Sequence, residues 1–250
     1  MTGRILLFLA LAAGLLGDMP ARAQQDLVAD LSDHLVAITT GFTGADVLLF
    51  GAVEGEGEIV VTVTGPRTDV TVRRQERVAG VWANVEAVTF ANTPSFYAVA
   101  STEPLENVAS ADIRQRQEIG IENLFLRPED PEIDPGTAAI FRAGLIRNKQ
   151  AVGLYAGEVL PITVLSNRLF RTRIHLPANV VTGTYTVAVY FLRDGSAVHA
   201  QTTPLVVSKT GIGADIFLFA HGNSAAYGVL AIIIAIAAGW LAAWIGRKVG

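Results

Sequence analysis

The chain has 250 residues, 51% of them hydrophobic and 17% charged, with a formal net charge of −4 and no cysteine. No cysteine means no disulfide, thiolate metal site, cysteine nucleophile or lipidated cysteine, so any exported part must be held by packing alone. A mild acidic balance without a basic stripe also excludes nucleic acid as a partner class.

Residues 1–23 open with one cation, Arg4, and continue through an apolar stretch from Ile5 to Gly17 that is too short to span a bilayer. They close on Ala21-Arg22-Ala23. Small residues at the −3 and −1 positions mark a cleavable signal peptide, so the mature chain is expected to start at Gln24, with an uncleaved anchor as the alternative.

Residues 24–105 read as an immunoglobulin-like β unit. LVADLSDHLVAIT looks like one or two strands, and ADVLLFGAV and EIVVTVTGP like two more. Glycines in Glu54–Glu58 (EGEGE) are expected to turn a hairpin between those two. TDVTVRRQERV, VWANVEAVTF and FYAVAST follow at intervals of about ten residues, the spacing of a small antiparallel sandwich. Trp82 is the expected core aromatic.

Residues 106–154 form a helical insert. ENVASADIRQRQEIGIENLFL (106–126) favours helix, and RPEDPEIDPG is an acidic, proline-broken loop. Thr137 is the expected cap of a second helix running to about Leu154. Ile140, Phe141, Leu145 and Val152 share one face of it, and Arg142, Arg147 and Lys149 avoid that face.

Strand character returns over 155–208, a second β unit. Asp194-Gly195 between alternating runs is a two-residue hairpin signal. Gly183 two places before Tyr185 at a strand start resembles the tyrosine corner of immunoglobulin-like sheets. Residues 209–224, with Ile212, Ile216, Phe217 and Phe219, suggest a juxtamembrane amphipathic segment.

From Ala225 to Ile245 no side chain is charged. About twenty such residues cross a hydrocarbon core, so 225–246 is expected to be a transmembrane helix, the alternative being a buried core helix. Tyr227 at one boundary and Trp240 and Trp244 near the other are interface anchors. Arg247 and Lys248 assign the tail, 247–250, to the cytoplasm and the preceding residues to the other side. Ala231, Ala235, Gly239 and Ala243 recur every four residues beside a row of Ala238, Ala242 and Gly246, a surface on which a second helix can approach closely.

The segments FTGADVLLFGAV with VTVTGP, FRAGLIRNKQAVGLY, LPANVVTGTYTVAVYFLRDG and FLFAHGNSAAYGVLAI resemble a family of alphaproteobacterial transmembrane proteins with a signal peptide, a β-rich exported region and one C-terminal span. The resemblance implies a periplasmic body on a Gram-negative inner membrane. It transfers no catalytic residue, and some members stand beside permeases of the sulfite-exporter type.

Chemistry is sparse. His34, His175, His199 and His221 show no HxH or HExxH spacing, and a His175–His199 metal pair is the outside alternative to surface histidines. Gly222-Asn223-Ser224-Ala225-Ala226 lacks the final glycine of a nucleophile elbow. Asp130, Glu132 and Asp134 imitate a calcium loop, but prolines stand at 131 and 135 and Phe141 where its bidentate glutamate belongs. Glu54, Glu56 and Glu58 could hold a cation or simply be solvated turn charges. No catalytic, cofactor or metal residue is assigned. The expected function is therefore a non-enzymatic, membrane-anchored binding or accessory subunit. Its partners are the lipid bilayer and another integral membrane protein, of a transport complex or otherwise, or its own copy. The alternative is an enzyme or small-ligand-binding protein using Arg142, Arg147, Lys149 and the acidic loop.

Overall fold

The computed structural model describes residues 26–78, 80–210 and 219–249, except the side chains of 241–243 and 245–249. The expected signal peptide and Ile212, Ile216 and Phe217 lie outside the described residues. So do the side chains of Ala242, Ala243, Gly246, Arg247 and Lys248.

The described chain is mainly β with a helical insert. A first sheet holds β1 (Leu27–Leu31), β3 (Gly44–Val53), β11 (Leu169–Pro177) and β10 (Thr163–Leu165), in that order and all antiparallel. A second sheet runs β2 (Leu35–Ile38), β13 (Ser196–Lys209), β12 (Gly183–Arg193), β4 (Glu58–Thr64), β7 (Tyr97–Ser101), β9 (Leu160–Pro161). Its outer pairs, β2 with β13 and β7 with β9, are parallel. A third sheet is the long hairpin of β5 (Arg67–Val78) and β6 (Val81–Pro94), joined at its base by β8 (Arg127–Pro128).

Sequence pattern explains the layering. In β11, Phe170, Thr172, Ile174 and Leu176 are buried while Arg171, Arg173 and His175 face solvent, the alternation of a sheet with one wet face. β4, β7 and β12 carry unbroken apolar runs and are buried on both faces. Toward the first sheet, Ile59, Val61, Val63, Ala98, Val187, Val189 and Phe191 close a core with Leu49, Phe170 and Ile174. On the other face, Val60, Tyr97, Val99, Ala188, Tyr190 and Leu192 meet Val88 and Phe90 of the hairpin and Phe141 and Leu145 of the insert. The two β segments share sheets: β3 pairs with β11, and β4 with β12.

Several expectations hold. The Leu27–Thr39 stretch is two strands that divide between the sheets. Asp194 and Gly195, at φ of 52° and 73°, turn β12 into β13. The Tyr185 hydroxyl donates to the Val181 carbonyl at 2.7 Å, forming the expected corner.

Others are corrected. Glu54–Glu58 makes no hairpin, because β3 and β4 belong to different sheets and the loop crosses between them. The loop is held through its carbonyls, Arg193 donating to Glu54 O and Glu56 O, each at 2.8 Å, and through the Glu58 carboxylate, which accepts from Thr102. The 106–126 helix is broken into α1 (Leu105–Val108), α2 (Ala111–Arg116) and a 3-10 turn at Ile121–Asn123. Ser110 caps α2 through the Ile113 amide, and Glu118 and Gly120 at positive φ break the run after it. The next helix, α3 (Pro135–Ala151), is capped by Asp134, which accepts from Thr137 N at 2.9 Å with Pro135 in the first turn. Ile140 and Val152 are exposed, leaving Phe141 and Leu145 to fill the core.

Trp82 is 67% exposed, far from the core position expected of it. Between Arg74 and Gln75 the register of β5 with β6 shifts, leaving Val85 as an extra residue. That bulge reverses the alternation of β6, so Trp82 faces opposite to Val88 and Phe90 although it has their parity.

The expected span falls in a 26-residue helix, α4 (Ser224–Val249). Among the described residues, however, no helix is long and apolar enough to cross a membrane.

Candidate functional site

Two surfaces stand out because the residues on them run against ordinary burial: the outer half of the β5–β6 arm, and α4. The inner half of the arm is fixed on both sides. Val70 and Val72 pack with Val88 and Phe90 into the second core, and Thr71 and Thr89 join hydroxyls across the outer face at 2.9 Å. At the root, Arg67 is ion-paired with Glu118, whose other carboxylate oxygen accepts from Phe125 N at 2.8 Å. Arg67 also donates to Asn92 O at 3.2 Å. Beside it, the Tyr97 hydroxyl donates to Glu118 O at 2.6 Å and accepts from Gly120 N at 2.9 Å. The Tyr155 hydroxyl donates to Pro94 O at 2.8 Å. Burial pushes both phenols well above the usual tyrosine range, so they stay neutral donors. This network clamps the root of the arm to the insert.

Beyond Val88 the arm has no core. Seven residues of strand carry Val81 about 23 Å past it. Opposed residues share a face, so Val78 and Val81 lie on one side of the tip, and Arg77 and Trp82 on the other with Arg73. Val78, Val81 and Trp82 are 53%, 69% and 67% exposed. Arg74 is engaged by Glu76 at 3.2 Å and Glu86 at 3.1 Å, whereas Arg77 donates Nε–H to Gly80 O at 3.2 Å across the turn.

On α4, Ala231, Ala235, Ala238 and Gly239 all lie on exposed surface, as do Tyr227, Trp240 and Trp244. Its apolar residues are equally exposed, Ile232 at 61% and Ile236 at 67%.

The remaining candidates are drawn into local structure. His34, His175 and His199 pair separately with Asp30 at 3.0 Å, Asp46 at 2.8 Å and Asp26 at 3.2 Å, so His175 and His199 do not converge. Among the described residues no group of three histidines or carboxylates could hold a metal. Asp130 accepts from Glu132 N at 2.9 Å in its own turn, and the Glu58 carboxylate bonds Thr102. Arg142 donates to Glu122 O at 2.7 Å and Leu124 O at 2.9 Å, which holds the insert together. Lys149 lies 5.9 Å from the Tyr155 ring, and desolvation lowers its pKa. A notch lined by Thr102, Glu103, Leu105, Glu122, Val159 and Leu160 lies beside α1, and neither Arg142 nor Lys149 lines it.

The exposed arm is what the sequence reading missed. The signal available was the cluster of Arg73, Arg74, Glu76 and Arg77 on β5, too polar for a strand covered on either face.

Residues 26–248 match a family described as "Putative transmembrane protein (Alph_Pro_TM)". No curated protein matches the chain, and no solved structure does.

Proposed function

We propose a function from the premise that the chain belongs to the Alph_Pro_TM family. It is a single-pass, membrane-anchored periplasmic protein acting as a non-enzymatic binding or accessory subunit of an integral membrane complex. The observation that carries this reading is α4, along which the apolar side chains from Val229 to Ile236 are exposed among the described residues. A helix apolar all round and left uncovered suits lipid as its solvent, not water. Tyr227, Trp240 and Trp244 suit the two interfaces, and Arg247 and Lys248 the cytoplasmic side of an inner membrane.

We further infer that the body is immunoglobulin-like. The orders β1-β3-β11-β10 and β13-β12-β4 correspond to strands A-B-E-D and G-F-C of that fold, and the Tyr185 corner sits at the start of the F equivalent. The arm and the helical insert are then two insertions into the sandwich.

The docking surface for the complex is the row Ala231, Ala235, Gly239 and Ala243 with Ala238, Ala242 and Gly246, where small side chains let a helix of another membrane protein, or of a second copy, approach. Cross-linking in native membranes tests this. The native span should capture one membrane protein that a polyleucine span does not. The change of Ala235 and Gly239 to leucine should weaken capture while export and folding persist. Equal capture by all three would remove the docking role. The alternative, a small-ligand site in the notch beside α1, has the notch alone in its support, since Arg142 is taken up by the carbonyls of Glu122 and Leu124 and Lys149 lies against the Tyr155 ring.

A further inference from the structure

We propose that the tip of the β5–β6 arm is a second membrane contact. It is a wedge that enters the headgroup and upper acyl layer of an anionic bilayer, with Val78, Val81 and Trp82 in lipid and Arg73 and Arg77 at the phosphates. The proposal rests on the reading of α4 as a membrane anchor, which keeps a bilayer close to the body.

The shape of the tip favours lipid over a folded partner. A strand or sheet that docks on a protein offers one face. This tip is apolar on both, Val78 and Val81 on one side and Trp82 on the other, around the turn that contains Gly80. Acyl chains close around such a wedge from all directions. The charge pattern suits the same surroundings. Glu76 and Glu86 are taken up by Arg74, while Arg73 and Arg77 have no ion pair among the described residues and lie on the face of Trp82. An amphipathic indole beside guanidinium groups is the side-chain set found at the level of lipid headgroups, and each cation near an anionic surface strengthens binding.

Topology puts the root of the arm at the end of the body from which the chain leaves for α4. Thr64, just before the root, pairs with Thr186 of β12, and Gly183 of the same strand pairs with Val207 of β13. The chain leaves β13 at Lys209 on its way to α4. The arm is therefore rooted at the end of the second sheet from which the chain departs for α4, two strand spacings or about 10 Å across. The fourteen residues 210–223 between β13 and α4 cannot exceed about 50 Å when fully drawn out. Tethered in this way, the tip meets the bilayer at high effective concentration, so a modest apolar wedge suffices.

The test uses the full chain in vesicles of phosphatidylcholine with or without phosphatidylglycerol. The chain has three tryptophans, so changing Trp240 and Trp244 to phenylalanine leaves Trp82 as the sole emitter, and Trp82→Phe gives the reverse probe. The expected result is a blue shift of Trp82, quenching by phospholipid brominated near the top of its acyl chains, and protection from aqueous iodide. The effect should be larger with phosphatidylglycerol. Arg77→Gln should lower the insertion constant about fivefold. Changing Val78 and Val81 together to aspartate should abolish insertion with the melting temperature of the body unchanged. Trp82 open to iodide and untouched by bromolipid overturns the proposal. If the reverse probe is then still quenched by bromolipid, the anchor stands and only the arm fails; if it is not, the membrane reading falls as well. Protection of Trp82 from both quenchers would mean a second copy covers the tip, which also overturns it.

Discussion

The second sheet and α4 draw on the same residues, valine, isoleucine, leucine and alanine, and meet opposite surroundings. In the sheet, Val60, Val61, Ala98, Val99, Val187 and Ala188 are covered on one side by the first sheet and on the other by the hairpin root and insert. In α4, Val229, Ile232 and Ile236 stand exposed. An apolar run thus specifies only that water must be removed. Whether the chain itself removes it depends on what else the chain builds nearby: the strands are flanked by segments with matching apolar stripes, whereas among the described residues Val229, Ile232 and Ile236 of α4 meet no such stripe.

The sharpest way to break that contrast is a pair of truncations. Phe191→Ala should destabilise the body by about 3–5 kcal/mol, read as a lower urea midpoint, whereas Ile236→Ala should leave the same transition in place. Equal losses would mean that α4 packs on the body. Alkali provides a second contrast of similar size. Burial raises the pKa of Tyr97, Tyr155, Tyr185 and Tyr190, so the folded body keeps protons that the unfolded chain releases above about pH 10. Their stabilising contribution is complete below that pH and is lost as the pH climbs toward the raised values. Each phenol steepens the loss by up to about 1.4 kcal/mol per pH unit. Melting temperatures measured from pH 9 upward should fall progressively, and a flat profile would contradict the burial of these rings.

Arg67→Met, which strands Glu118 at the root of the arm, should cost about 2 kcal/mol, with part of it recovered by adding Glu118→Gln. Tyr185→Phe, losing the corner hydrogen bond, should cost about 1 kcal/mol. At the small end, Trp82→Ser should change the stability of the body by less than about 0.5 kcal/mol, because its ring has no core to leave. A larger loss would place the arm against the body.

The sequence was most legible where one residue pair fixes a local geometry. Asp194-Gly195 and the Gly183–Tyr185 spacing each name a structure that needs no distant partner. It was least legible where the outcome depends on remote segments. The glycines of EGEGE permit a turn, but only the pairing of β3 with β11 and of β4 with β12 makes that turn a crossover. Helical propensity in 106–126 yields after Gln117, where Ile119, Leu124 and Leu126 are pulled into the second core and the backbone bends at Glu118 and Gly120 to deliver them. Of the candidate sites, the row of small residues on α4 is read from a period of four alone, and its described members Ala231, Ala235, Ala238 and Gly239 are exposed. Trp82 was misread because its parity matches that of Val88 and Phe90, and a bulge leaves no mark in composition.

That bulge makes the arm behave like a gear with one spare tooth. Deleting Val85 would shorten β6 by a single residue yet turn nothing over: the pairs from Gln75–Asn84 to Val78–Val81 stay as they are, Trp82 keeps the side of Arg77, and Val88, Phe90 and the body below keep their places. A one-codon loss at the bulge is therefore taken up as a change of local twist, not of outward face. Descendants of this gene could lose that codon and still present the same tip on the same sandwich.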